Sequence, residues 1–148
     1  MELAKEHPSL IQVSTNNHLR FLNGCKWDAK AALEFSLKSE KYRVDNQVHL
    51  LTQEKVRAGI DLNYVKTFGH DKSGRPLFWI KVKNYKTGAM TNEQAMNFLC
   101  YIFDYTCTLM TPNVDQIIAI LDMADFSYEN YSFEQWRSAM EVSNVSVF

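Results

Sequence analysis

The fold of this chain is indicated most clearly by residues 71–82, which read DKSGRPLFWIKV. Asp71 and Ser73 can accept hydrogen bonds from the nearby backbone, and Gly74 can adopt a positive φ without steric cost. Pro76 fits where a sheet needs no N–H, which is at the first residue or the edge of a strand. The β-prone residues that follow complete the pattern of a turn that leads directly into a strand.

The segments around this turn predict an α/β fold. Residues 64–68 and 77–83 are predicted strands, and the apolar run at 117–121 is typical of a central strand covered on both faces. Thr91 and Ser132 are candidate N-caps of two helices. The order strand, helix, strand, helix favours a parallel pair, and hence a short, mostly parallel sheet.

The N-terminal part of the chain is predicted to be helical. Residues 1–16 form a short lead-in, and 17–24 form a further helical segment. Asp28 is a good N-cap for the next helix, whose apolar residues recur at helical spacing. Another helix is predicted from about 46 to 58 and ends at Gly59.

Composition limits the class of protein. Of the 148 residues, 46% are hydrophobic and 22% charged, which is enough apolar material to order a core. The net charge of −1 gives no general reason to bind nucleic acid. Three cysteines fit no disulfide framework and favour a reducing compartment. No apolar run approaches the ~18 residues that span a bilayer, so the sequence predicts a soluble, cytoplasmic protein.

Three segments together resemble the CRAL-TRIO family of lipid-transfer domains. Residues 19–28 are similar to the helical lead-in of that family, and 71–76 are similar to the turn before its aromatic strand. Residues 117–122, which end in an aspartate, resemble the family's central strand, and 126–130 resemble the loop after it. The run at 77–83 looks closest to the branch that also carries a motile-sperm-type domain.

The resemblance covers only part of the family's domain. Asn23 and Gly24 stand where the family has a basic and a small residue, and residues 142–148 do not resemble the family's next strands and gating helix. The comparison therefore implies a C-terminally truncated form. Residues 1–60 would be its helical lead-in, and 61–148 a partial lipid-binding lobe.

The resemblance implies a lipid cavity formed by one sheet face and the helix that follows it. The residues expected to line this cavity are Phe78, Ile80, Val82, Met96, Leu99, Phe103, Ile117, Ala119 and Leu121. Alternation along a strand and a stripe along a helix are equally typical of an ordinary core, so both interpretations stay open.

The resemblance implies a non-catalytic function. The chain would bind a phospholipid or another hydrophobic ligand and carry or present it between membranes, with peripheral contact at intracellular membranes. It would need no cofactor and no metal, and nucleic acid is not an expected partner. An alternative is a protein-interaction or regulatory module that keeps the scaffold but lacks a closed cavity, and an incomplete lobe would favour self-association or a partner protein.

Few other residues suggest a site. Asp122 and Asp125 lack a His or Cys neighbour, so roles in turns or capping are favoured over a metal site. An α/β enzyme that uses Asp122 and a thiol is a further alternative, but the sequence shows no nucleophile–base pair. Lys81 and Lys83 could meet a headgroup or a membrane surface, although a solvated strand face explains them as well.

Overall fold

The structure, a computed structural model, describes residues 15–146. It contains five α-helices and three strands within those residues. In chain order, these elements are α1 (Thr15–Gly24), α2 (Ala29–Asp45), α3 (Arg57–Leu62), β1 (Val65–His70), β2 (Pro76–Lys81), α4 (Asn92–Thr108), β3 (Ile118–Asp122) and α5 (Phe133–Ser146). Of the predicted lead-in over residues 1–16, the first 14 residues lie outside the described residues, and the last two belong to α1.

The three strands form a mixed sheet in the order β1-β2-β3. β1 runs antiparallel to β2, with Val65 opposite Ile80. β2 runs parallel to β3, with Ile80 opposite Leu121. The α/β fold class and the predicted parallel pair are confirmed, and the second pairing of this small sheet is antiparallel.

The prediction that residues 117–121 form a central, covered strand is wrong for the described residues. β2 occupies the centre, and β3 lies at one edge. Ala119, Ile120 and Leu121 are all exposed. Apolar side chains on both faces of a strand make burial favourable, but they do not ensure that other elements pack on both faces. Among the described elements, α4 packs on one face of the sheet.

The prediction of a helix over residues 46–58 is also wrong. The chain forms a 3-10 turn at Val48–Leu50 and then the short helix α3. Gly59 lies inside α3, where a Cβ atom would stand 2.2 Å from Cγ of Phe98 on α4. Gly59 therefore permits the close approach of two helices and does not end one.

The turn that leads into β2 forms as the sequence predicts. The Asp71 Oδ1 atom accepts the backbone N–H groups of Ser73 and Arg75, each at 2.9 Å. The Arg75 guanidinium also donates to Asp71, and these hydrogen bonds hold the pKa of the Asp71 carboxyl below its usual value. Gly74 has a φ of +81°, and β2 begins at Pro76.

An ion pair joins the N-terminal helices to the sheet-bearing part of the chain. Both terminal nitrogens of Arg43 on α2 donate to the two carboxylate oxygens of Asp104 on α4, at 2.7 and 2.6 Å. Paired, planar contacts of this kind fix orientation as well as distance. They hold α2 against α4, where the thiol of Cys100 on α4 lies 3.9 Å from the Tyr42 hydroxyl.

Gly59→Ala should destabilise the protein because the new methyl group overlaps the ring of Phe98. Overpacking of this kind costs about 1–3 kcal/mol. Gly24→Ala is the matched control, since nothing lies within 4 Å of its added Cβ, and its stability should stay the same or rise. Urea denaturation measures both changes, and equal midpoints for the two variants would contradict the close approach of α3 and α4.

Candidate functional site

A cavity of about 350 Å³ opens where β2 and β3 end. Its walls come from these two strand ends, the first turns of α4, the loop after β3 and one face of α5. The carboxyl ends of parallel strands are where open α/β sheets generally bind ligands, and the volume falls within the range of small-molecule pockets.

Five of the nine residues predicted from the sequence lie on the cavity wall. They are Ile80, Val82, Met96, Leu99 and Leu121. Two of these five come from α4, two from the end of β2 and the turn after it, and one from β3. The strand face and the helix that the sequence singled out are therefore brought together around one space.

The other four predicted residues do not line this cavity. Phe78 is 1% exposed and stacks against Phe103, with ring centroids 4.9 Å apart. Each ring covers the other, so these two residues form the core beneath the cavity and not its wall. Ala119 is an exposed residue near the middle of β3, and Ile117 precedes that strand.

The sequence patterns did not lead us to predict the second wall of the cavity. It includes Ser132, Gln135, Trp136 and Ala139 on and just before α5, spaced at i, i+3, i+4 and i+7. This spacing places four side chains on one face of a helix, so a signal was present. The loop residues Met123, Phe126 and Tyr131 also contribute, but loops carry no such periodicity.

Asn130 ties the cavity loop to the end of β2. Its amide nitrogen donates to the backbone carbonyls of Tyr85 at 2.5 Å and Lys83 at 3.4 Å. Its amide oxygen accepts the backbone N–H of Ser127 at 2.8 Å and the hydroxyl of the same residue at 2.9 Å. All of the polar atoms of this side chain are therefore used in positioning the loop.

The polar groups in the wall are uncharged. The Tyr85 hydroxyl donates to the Oε1 atom of Gln135, and the Gln135 Nε2 atom donates to the carbonyl of Met90 at 3.3 Å. Burial raises the pKa of Tyr64 and of Tyr85, so both phenols stay protonated at neutral pH. Among the described residues, the side chains that line the wall carry no charge, which suits an apolar ligand.

The mouth of the cavity is apolar and open to solvent. Leu121 is 47% exposed and Trp136 is 51% exposed, and both line the cavity. Exposed apolar groups that surround a cavity of this size are typical of an entrance for a ligand or a contact surface.

The remaining candidate residues have local roles. Asp122 accepts the backbone N–H of Ala124 at 3.1 Å, which is the turn role favoured from the sequence. The carboxylate of Asp125 pairs with the Lys83 ammonium group at 3.0 Å. β2 ends at Lys81, and Lys83 lies in the 3-10 turn that follows it. The prediction of a strand through residue 83 is therefore wrong by two residues.

Residues 15–146 contain no cluster of potential metal ligands, and burial disfavours the reactive form of the Cys107 thiol. No three His, Cys, Asp or Glu side chains of residues 15–146 come together in a way that could hold a metal ion. Burial raises the pKa of the Cys107 thiol, which disfavours the nucleophilic thiolate. Among the helices of this part of the chain, none has the length and apolar character to cross a membrane.

Comparison with known proteins gives two findings. A family model described as the CRAL/TRIO domain matches residues 62–146, which is more than half of the chain. A CRAL-TRIO domain-containing protein of Schizosaccharomyces pombe is 27% identical over 124 residues. That alignment covers 78% of this chain but 28% of the yeast protein, so this chain spans less than a third of the relative's length.

Asn130→Ala should destabilise the loop that forms one side of the cavity. The substitution leaves the partly buried carbonyl of Tyr85 and the N–H of Ser127 without their partner, and an unmet buried group costs up to about 1–3 kcal/mol. Ser127→Ala is the milder control, because its backbone N–H still bonds to Asn130. Thermal melts should rank the wild type above S127A and S127A above N130A, and an N130A midpoint equal to the wild type would contradict the role given to this amide.

Proposed function

Because this chain belongs to the CRAL/TRIO domain family, we propose that it binds one hydrophobic lipid in the cavity at the ends of β2 and β3. The observation that carries the proposal is a cavity of about 350 Å³ whose wall, as far as residues 15–146 form it, holds no charged side chain. An acyl chain that leaves water gains about 0.8 kcal/mol per buried CH₂, so an apolar cavity can compete with a bilayer for it.

The lipid would be a phospholipid or another ligand with an apolar tail. Its tail would contact the strand residues Ile80 and Leu121 on one side and the helix residues Met96, Leu99 and Trp136 on the other. The exposed mouth at Leu121 and Trp136 leaves room for a polar headgroup in solvent. The protein would carry or present this lipid between membranes and would perform no chemistry on it.

The location of the protein in the cell is a further part of the proposal. We place the chain in the cytoplasm, at the surface of intracellular membranes, because none of its three cysteines forms a disulfide within residues 15–146. We also propose that residues 1–60 act as a helical lead-in to a partial lipid-binding lobe over 61–148. The Arg43–Asp104 pair supports a fixed arrangement of the two.

A second candidate function is a protein-interaction module. The exposed apolar side chains at the mouth and on β3, among them Ile120, Met123 and Trp136, favour it, since such groups also serve as contact surfaces. The partner would be a second copy of the chain or another protein. A wild-type chain that takes up no lipid but associates with itself in sedimentation velocity would favour this function over lipid carriage.

Leu121→Asp should weaken lipid binding at least about tenfold, because a lipid tail that lies against residue 121 would strip water from the new carboxylate. Leu121 is already 47% exposed, so the fold should tolerate the change. The fluorescence of cis-parinaric acid, an intrinsically fluorescent fatty acid, reports binding directly.

Ile120→Asp is the matched control for this test. Ile120 is adjacent on β3, is 38% exposed and points to the opposite face of the sheet. It should keep wild-type affinity for the fatty acid, while thermal melts verify that both variants are folded. Equal binding by L121D and I120D would exclude this cavity as the lipid site.

A further inference from the structure

A basic and aromatic cluster lies on the sheet face opposite the cavity. We call it the outer patch, and its residues are Lys66, Phe68, Trp79 and Lys81. The rings of Phe68 and Trp79 lie 5.6 Å apart, and the Lys81 Nζ atom lies 5.3 Å from the Trp79 ring centroid. Together the four side chains line a shallow hollow of about 160 Å³.

The register of the sheet separates this patch from the cavity. Lys66 stands opposite Trp79, whereas the neighbouring pair, Val65 and Ile80, faces the cavity. Successive residues of a strand point to opposite faces, so the alternation in β1 and β2 gives one sheet an uncharged face and a basic, aromatic face.

The charges of the outer patch are not neutralised by the rest of the described chain. In residues 15–146, neither Lys66 nor Lys81 has a carboxylate oxygen within 4.0 Å. Asp122 stands opposite Lys81 in the register, but its carboxylate accepts the N–H of Ala124 and lies beyond 4.0 Å of the Lys81 ammonium group. The lysine ammonium groups therefore remain available to an external anion.

The aromatic side chains of the patch are partly open to solvent. Phe68 is 46% exposed. Trp79 is half-buried, so part of its ring also reaches the surface of this sheet face. Amphipathic rings flanked by lysines are enriched at the boundary between membrane and water, where apolar and polar surroundings meet.

From these observations we propose that the outer patch is a docking surface for bilayers that contain anionic phospholipids. Lys66 and Lys81 contact the anionic headgroups, and Phe68 and Trp79 enter the interfacial layer. Two lysines in a chain of net charge −1 are too few for nucleic acid, whose binding draws on many phosphate contacts. They suffice for a membrane surface, which attracts each nearby lysine separately.

The test uses the full chain and vesicles of phosphatidylcholine, with or without a minority of phosphatidylserine. Each lysine near an anionic surface contributes about fivefold to membrane partitioning. Lys66→Gln combined with Lys81→Gln should therefore lower the binding to anionic vesicles about 25-fold. Raising the salt concentration should weaken the binding of the wild type, since salt screens exposed charges.

Lys30→Gln combined with Lys38→Gln is the matched control. Both lysines are exposed on α2, and the change in net charge is the same, so its binding should stay within about twofold of wild type. L121D, which disables the cavity in the proposed function, should still bind anionic vesicles. This arm separates a failure of docking from a failure of lipid uptake.

A second readout locates the contact. The chain has three tryptophans, and Trp27→Phe with Trp136→Phe leaves Trp79 as the remaining one. Brominated phospholipids in anionic vesicles should quench its fluorescence. Equal binding to neutral and anionic vesicles, an equal loss in the two double-lysine variants, or unquenched Trp79 in vesicle-bound protein would each overturn the proposal. The proposal would also be overturned if the combined Lys66→Gln and Lys81→Gln change altered self-association in sedimentation velocity but left vesicle binding unchanged.

Discussion

The packing of α4 on the inner face of β2 is the contact on which the rest of this structure depends. Phe78 from the strand stacks on Phe103 from the helix and is almost fully buried. On other sides of the same helix, Gly59 lets α3 approach Phe98, and Asp104 holds Arg43 of α2. One helix thus organises the sheet, the short helix α3 and the N-terminal helices.

The cavity lies just beyond the region where α4 and β2 pack together. The Phe78–Phe103 stack closes the space between sheet and helix below the cavity. Nearer the end of β2, α4 contributes Met96 and Leu99 to the cavity wall. α5 supplies the opposite wall, through Gln135 and Trp136, and Asn130 fixes the loop that leads into it. An apolar, uncharged space remains, and it suits the lipid-binding character of the CRAL-TRIO family to which the chain belongs.

Local features of this fold could be predicted from the sequence, whereas the features that depend on distant partners could not. The turn at Asp71 and the cap at Thr91 form as predicted because their hydrogen bonds close within a few residues. Alternation identified the correct sheet face, but it could not distinguish Phe78 from Ile80, since only the distant ring of Phe103 separates core from cavity. Gly59 looked like a helix end for the same reason, because its partner lies 39 positions away at Phe98.

Native mass spectrometry of the purified chain, combined with solvent extraction of whatever it retains, shows whether the cavity holds a lipid. We expect a folded chain that carries one lipid-sized adduct, with an apolar tail recovered in the extract. A chain that stays at its unliganded mass after incubation with mixed lipids, while remaining folded, would contradict this expectation.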